Sequence, residues 1–179
     1  GVSFVAIVVG LFGLSELLIA GRHKIAAAKA PSFRSLMPTR EDFRRSTPSI
    51  GRGTVIGSAL GLIPGMTGSV SSLLAYGAEK RFSRYRDQLG KGAIEGVAGP
   101  ETANNAAATG SFIPMLTLGI PPNAVMALMV GAMTIKGIQP GPQVMTSNPE
   151  LFWGLIASMW IGNLMLVVLN LPLIGLWVK

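Results

Sequence analysis

Residues 53–79 read GTVIGSALGLIPGMTGSVSSLLAYGAE, and this stretch decides how the chain is folded. It carries no charge before Glu79, and Pro64-Gly65 divides it into two apolar arms. Basic residues flank it on both sides. Arg22, Lys24, Lys29, Arg34, Arg40, Arg44, Arg45 and Arg52 precede it, and Lys80, Arg81, Arg84, Arg86 and Lys91 follow. Basic loops beside apolar segments are retained on the cytoplasmic side of a membrane. If both flanks are cytoplasmic, the stretch enters and leaves on one side. Arms of about 11–13 residues reach only about 16–20 Å, too short to cross a hydrocarbon core of about 30 Å. The spacing therefore predicts a re-entrant helical hairpin, with loops 21–52 and 80–91 cytoplasmic. Non-helical backbone at that depth must be buried in protein or line a polar cavity.

Composition agrees with a membrane setting. Of 179 residues, 49% are hydrophobic and 13% charged, about half the charged share of a soluble domain. Mean hydropathy is +0.51. The 23 Gly and 12 Pro, without a collagen period, point to interrupted helices. The absence of Cys and the single His23 exclude a disulfide framework, a thiolate metal site and a Cys nucleophile. No metal or other cofactor is expected. The net charge of +7 lies in the membrane-flanking stretches, where orientation explains it without a nucleic-acid partner.

Two further runs look long enough to span the bilayer: residues 2–20, and residues 150–178 with a possible kink at Pro172. Trp153 and Trp177 suit interfacial anchors for the second run. Thr39 before Arg40-Glu41-Asp42 reads as a helix cap, within a basic stretch broken by Pro31, Pro38 and Pro48. Between the spans, the expected order is a helix near 100–113, an irregular stretch near 114–121 and a helix from about Pro122 to Lys136. No Ser/His/Asp set or phosphate-cradling loop is present, so an enzyme is not expected.

Three breaks carry the polar chemistry. At Gly65-Met66-Thr67-Gly68-Ser69, a half-helix starting near Thr67 would aim free N–H groups and a positive dipole end at the break, which is a carboxylate site in physical terms. The alternative is a kinked, glycine-mediated packing contact. On a helix from Pro100, Glu101, Asn104 and Asn105 share a face. Their amides can hold carboxylates or Na⁺, and Glu101 can take a proton or cation. The alternative is that the amides bind backbone. Thr117-Leu118-Gly119-Ile120-Pro121-Pro122-Asn123 again sets a helix start beside a break, or is a plain surface turn. Broken helices meeting near the midplane are a common site design in secondary transporters.

Several motifs in order resemble the large membrane subunit of bacterial tripartite tricarboxylate transporters, the TctA-like family. They are Gly61-Leu62-Ile63-Pro64-Gly65, Ala75-Tyr76, Glu79-Lys80-Arg81, Gly92-Ala93-Ile94-Glu95-Gly96-Val97 and Pro100-Glu101-Thr102-Ala103-Asn104-Asn105-Ala106. Pro114-Met115-Leu116-Thr117-Leu118-Gly119-Ile120-Pro121, Gly137-Ile138-Gln139-Pro140-Gly141-Pro142 and Asn170-Leu171-Pro172-Leu173 continue the series. The chain departs from the family pattern at Pro122-Asn123 and at Met66-Thr67, which bears on substrate identity more than on fold. The resemblance implies an all-α polytopic membrane protein. It makes residues 1–179 one membrane domain, the C-terminal repeat of a longer two-repeat permease in the bacterial inner membrane. It implies cation-coupled import of citrate-like carboxylates, driven by Na⁺ or H⁺. The implied partners are a small membrane subunit and a periplasmic solute-binding protein.

On this reading, substrate meets Gly65, Thr67, Gly68, Ser69, Asn104, Asn105, Pro121 and Asn123. The coupling ion meets Glu101, Asn104 and Thr117. A non-transporting membrane scaffold is the alternative, in which the breaks serve packing only.

Overall fold

The computed structural model describes residues 36–177, together with 7, 9–14 and 18. The expected span at 2–20 lies mostly outside the described residues; Val9–Leu14 within it forms a π-helical segment. Every regular element among the described residues is helical, and none of them is a strand. The helices are α1 (Arg40–Gly61), α2 (Gly68–Phe82), α3 (Glu95–Gly110), α4 (Phe112–Leu118), α5 (Ala124–Ile135), α6 (Val144–Ser147) and α7 (Pro149–Trp177). Two compact units result, Met37–Val167 and a second made of Gly1–Leu36 with Val168–Lys179. Helices α1 to α6, and α7 as far as Val167, belong to the first unit.

Helix α1 starts at the cap read from the sequence. The Asp42 N–H donates to Thr39 Oγ1 (3.2 Å), and the Thr39 N–H donates to Asp42 Oδ2 (2.8 Å). This reciprocal box satisfies two donors that the first turn cannot pair internally. The helix then runs 22 residues, with Pro48 inside it. Here the sequence reading needs correction. Pro48 does not break the chain, and residues 40–52 are helix rather than loop. The first arm is therefore about 33 Å long, and shortness no longer prevents it from crossing. Lys80 and Arg81 likewise belong to the last turn of α2.

Small residues at a spacing of four explain the packing of α1, α2 and α3. Ser49, Gly53, Gly57 and Gly61 are the buried stripe of α1. Glu95, Gly99, Ala103 and Ala107 form that of α3, and Ser71, Ala75 and Glu79 that of α2. A Cβ at Gly53 or Gly57 would collide with the carbonyl oxygen of Gly99 or Ala103, and one at Gly61 would lie 2.6 Å from that of Ala107. Only bare backbone allows this approach, the arrangement that small-xxx-small stripes provide. The pairs 53/99, 57/103 and 61/107 advance together, so α1 and α3 are parallel. Helix α2 runs the other way: Gly68 meets Asn104, and the Ser72 hydroxyl donates to the Pro100 carbonyl (3.0 Å). The chain thus reverses between α1 and α2, as a hairpin requires.

The next segment differs from its sequence reading. The helix expected near 100–113 starts earlier, at Glu95, with Pro100 inside it. Residues 114–118, expected to be irregular, belong to α4, and the break narrows to 119–123. Gly119 ends α4 at φ +71°, a left-handed cap that favours glycine, with its N–H donating to Met115 O (3.1 Å). Met115, Leu116, Met126, Met133 and Val144 then form an apolar core joining α4, α5 and α6. Flexible thioethers suit the irregular gap between short helices.

Helix α7 is apolar on all sides. Its stretch Pro149–Ile174 is 26 residues long with mean hydropathy 1.9, and its most apolar window is wholly unburied. It is the one helix among the described residues long and apolar enough to cross a membrane. Pro172 lies within the helix without ending it.

Candidate functional site

Two of the breaks meet. The Gly65 N–H, in the turn between α1 and α2, donates to the Pro122 carbonyl (3.0 Å), just before α5. Each break opens a helix with a side-chain cap. Thr67 Oγ1 accepts from the Val70 N–H (3.4 Å), and Asn123 Oδ1 accepts from the Met126 N–H (3.0 Å). Two helix N-termini, each a locus of partial positive charge, therefore start from bonded neighbours. The same 119–123 break also approaches the segment after α5: a Cβ on Gly119 would lie 2.9 Å from the Pro140 carbonyl oxygen.

Asn104 joins this junction from α3. Its Oδ1 occupies the space that a Cβ on Gly68 would need. Among the residues singled out from sequence, Gly65, Thr67, Gly68, Asn104, Pro121 and Asn123 thus belong to one junction or its immediate chain neighbours. Ser69 is exposed in the first turn of α2. Three others are turned elsewhere. Asn105 is exposed, and its Nδ2 donates to the Glu101 carbonyl of its own helix (3.1 Å). The Thr117 hydroxyl donates to the Ile113 carbonyl (2.6 Å). Glu101 is exposed.

The opposite end of the three-helix unit holds charges whose pairing the sequence did not disclose. Glu79 and Glu95 are among the largest fully buried side chains. Arg52 clasps Glu79 with two bonds (Nε–Oε1 2.8 Å, Nη2–Oε2 2.7 Å). Arg45 clasps Glu95 in the same fork (2.9 and 3.0 Å). Parallel guanidinium–carboxylate bonds fix direction as well as distance. Arg45 also lies 4.0 Å from the Tyr85 ring centre, and the Ser49 hydroxyl donates to the Glu95 carbonyl (3.2 Å). These pairs tie α1 to α2 and α1 to α3. A legible signal existed: Glu79 and Glu95 each sit at the end of a small-residue stripe, so stripe burial would bury them too and demand a cation. By contrast, Asp42 stands at the exposed start of α1, where the Thr39 hydroxyl and then its backbone N–H hold the carboxyl below the ordinary carboxylate value.

Helices only among the described residues, one apolar helix of membrane length and two chain breaks that meet define a class: all-helical proteins with interrupted helices and a candidate membrane span. Within that class the chain belongs to the tripartite tricarboxylate transporter TctA family, whose model it matches over residues 1–179. It is 55% identical, over 180 residues, to an uncharacterized 52.8 kDa protein in the TAR-I ttuC' 3' region of Agrobacterium vitis, covering 100% of this chain and 36% of that relative. A second uncharacterized protein, in the TAR-II ttuC' 3' region of the same organism, is 65% identical over 123 residues, covering 69% of this chain and 51% of the relative. The chain thus spans about a third to a half of the length of these curated relatives. No solved structure matches it.

Proposed function

We propose that this chain is part of the membrane permease of a tripartite tricarboxylate transporter, and that its junction of broken helices binds a di- or tricarboxylate anion. The observation that carries the proposal is the Gly65–Pro122 bond, which brings two capped helix N-termini together, the first of them, that of α2, beside Asn104. Free N–H groups and the positive ends of helix dipoles suit a carboxylate without placing a buried cation in the membrane. The Asn104 amide adds N–H donors. Asn104 and the junction backbone are therefore assigned to substrate, with Thr67, Ser69, Pro121 and Asn123 around them. The coupling cation, Na⁺ or H⁺, is assigned to Asn104, with Glu101 one turn earlier on α3; Thr117 is left out because its hydroxyl is bonded within its own helix.

In this reading α7 crosses the bilayer, and the α1–α2 hairpin enters from the cytoplasmic side with its basic end outermost. The fragment is one repeat of a longer permease of the bacterial inner membrane. The family supplies the further expectation of a small membrane subunit and a periplasmic binding protein that delivers substrate.

Thermal unfolding of the full-length permease, with and without citrate, succinate and Na⁺, tests the reading. A carboxylate-dependent rise in Tm is expected, because a ligand that binds only the native state stabilises it. No shift with any carboxylate, with or without Na⁺, would favour a scaffold whose breaks serve packing alone.

A further inference from the structure

The outer side of the α1–α2 hairpin carries an open groove of about 460 Å³, lined by Pro48, Gly51, Arg52, Val55, Ile56, Ala78 and Phe82. No residue of α3 lines it, and it lies away from the polar junction. Gly51 and Ala78 contribute almost no side-chain bulk, while Val55 and Phe82 are 70% and 66% exposed. From Pro48 to Val55 the groove follows α1 for about 10 Å. It is apolar apart from Arg52, whose guanidinium is already forked onto Glu79.

The chemistry changes at one end. Pro48 and Phe82 lie toward the start of α1 and the end of α2, where exposed cations gather. Arg44 lies one turn before Pro48, with its side chain 76% exposed and only a 3.6 Å contact to Glu41. The Arg81 guanidinium lies 5.7 Å from the centre of the Phe82 ring, itself a wall of the groove. Lys80 is exposed beside it. An apolar trough ending in exposed guanidinium groups is complementary to an amphiphile with an apolar chain and an anionic head.

We infer that this groove holds one acyl chain of an anionic phospholipid, whose phosphate is bound by Arg44 and Arg81. Anionic lipids attract basic residues next to membrane segments. The groove supplies what diffuse attraction lacks, a fixed place for the chain beside the phosphate. Arg52 takes no part in headgroup binding, because Glu79 neutralises it.

Native mass spectrometry of the full-length protein, released from neutral detergent and supplied with dioleoyl phosphatidylglycerol or dioleoyl phosphatidylcholine, tests this. Phosphatidylglycerol is expected to be retained at lower concentration. Arg44→Gln and Arg81→Gln should each reduce that preference about fivefold, whereas Arg81→Lys retains most of it. Val55→Trp, which fills the trough and leaves every cation in place, should lower retention of both lipids. Circular dichroism of each variant verifies that the helices persist. Equal retention of the two lipids by the wild type would overturn the proposal. So would an undiminished phosphatidylglycerol preference in the Arg44→Gln/Arg81→Gln protein, or full competition by inorganic phosphate, which would mark a free-anion site.

Discussion

Asn104 and Gly68 show how single residues set the site. The amide occupies the volume that any side chain at residue 68 would require. Gly68→Ala should therefore destabilise the protein by about 1–3 kcal/mol, the usual range for overpacking. Adding Asn104→Ala should recover most of that loss in an unfolding assay without recovering uptake. Glu79 gives a second prediction. Glu79→Gln leaves Arg52 without its counter-charge and should cost roughly 3 kcal/mol, near the lower end for such pairs because the guanidinium keeps some solvent contact. Joint replacement, Arg52→Met with Glu79→Leu, should unfold at a Tm close to wild type. At the start of α1 the sign follows from the Asp42 carboxyl, held below 3.8 in the folded state. Its stabilisation of the helix start is present at neutral pH and above its unfolded value, and is lost as pH falls through the depressed folded value. Thr39→Ala should return the Asp42 titration, followed by NMR, toward 3.8. The Thr39 cap was legible because its partner lies three residues on. The clasp on Glu79 was not, because Arg52 lies 27 residues away and only folding brings the two together.

Among the elements, the hairpin break was legible and its first arm was not. Pro64 lacks an N–H and Gly65 takes φ +87°, so the break at that point follows from local chemistry. Eight basic residues and three prolines before residue 53 suggested a loop. The helix nevertheless extends back to Arg40, because Arg45 and Arg52 point their charges at Glu95 and Glu79 instead of leaving them unpaired in the packing. Similarly, Pro114 lies early in α4, where a helix tolerates proline, so residues 114–118 stay helical. The stripe Ser49, Gly53, Gly57, Gly61 is the element-scale determinant of the bundle. Gly57→Leu should separate α1 from α3, since even a Cβ there strikes the Ala103 carbonyl. A loss of at least about 3 kcal/mol is expected. Trypsin sensitivity at the Arg and Lys residues of α1 and α2 should rise with it. Gly51→Leu, at a position with nothing within 4 Å, should leave protease resistance near wild type and so separates packing from helix propensity.

At the scale of the whole molecule, the three-helix unit has a charged end and a polar end. Paired Arg and Glu fix the first; breaks, caps and Asn104 make up the second. Low charge and abundant Gly and Pro made the membrane class legible, and the ordered motifs carried the family. The two breaks were expected to flank one substrate; the direct bond between residues 65 and 122 was not legible, because nothing local ties them together. The chain covers 36% of one curated relative, so the transport account concerns a longer protein. The direct measurement is uptake of radiolabelled citrate and succinate by cells carrying the complete three-component transporter, with wild-type permease compared with Asn104→Ala at equal membrane abundance. The account predicts at least about a tenfold loss of uptake, which corresponds to about 1.4 kcal/mol of lost binding. Unchanged uptake kinetics for both substrates in the Asn104→Ala protein would contradict it.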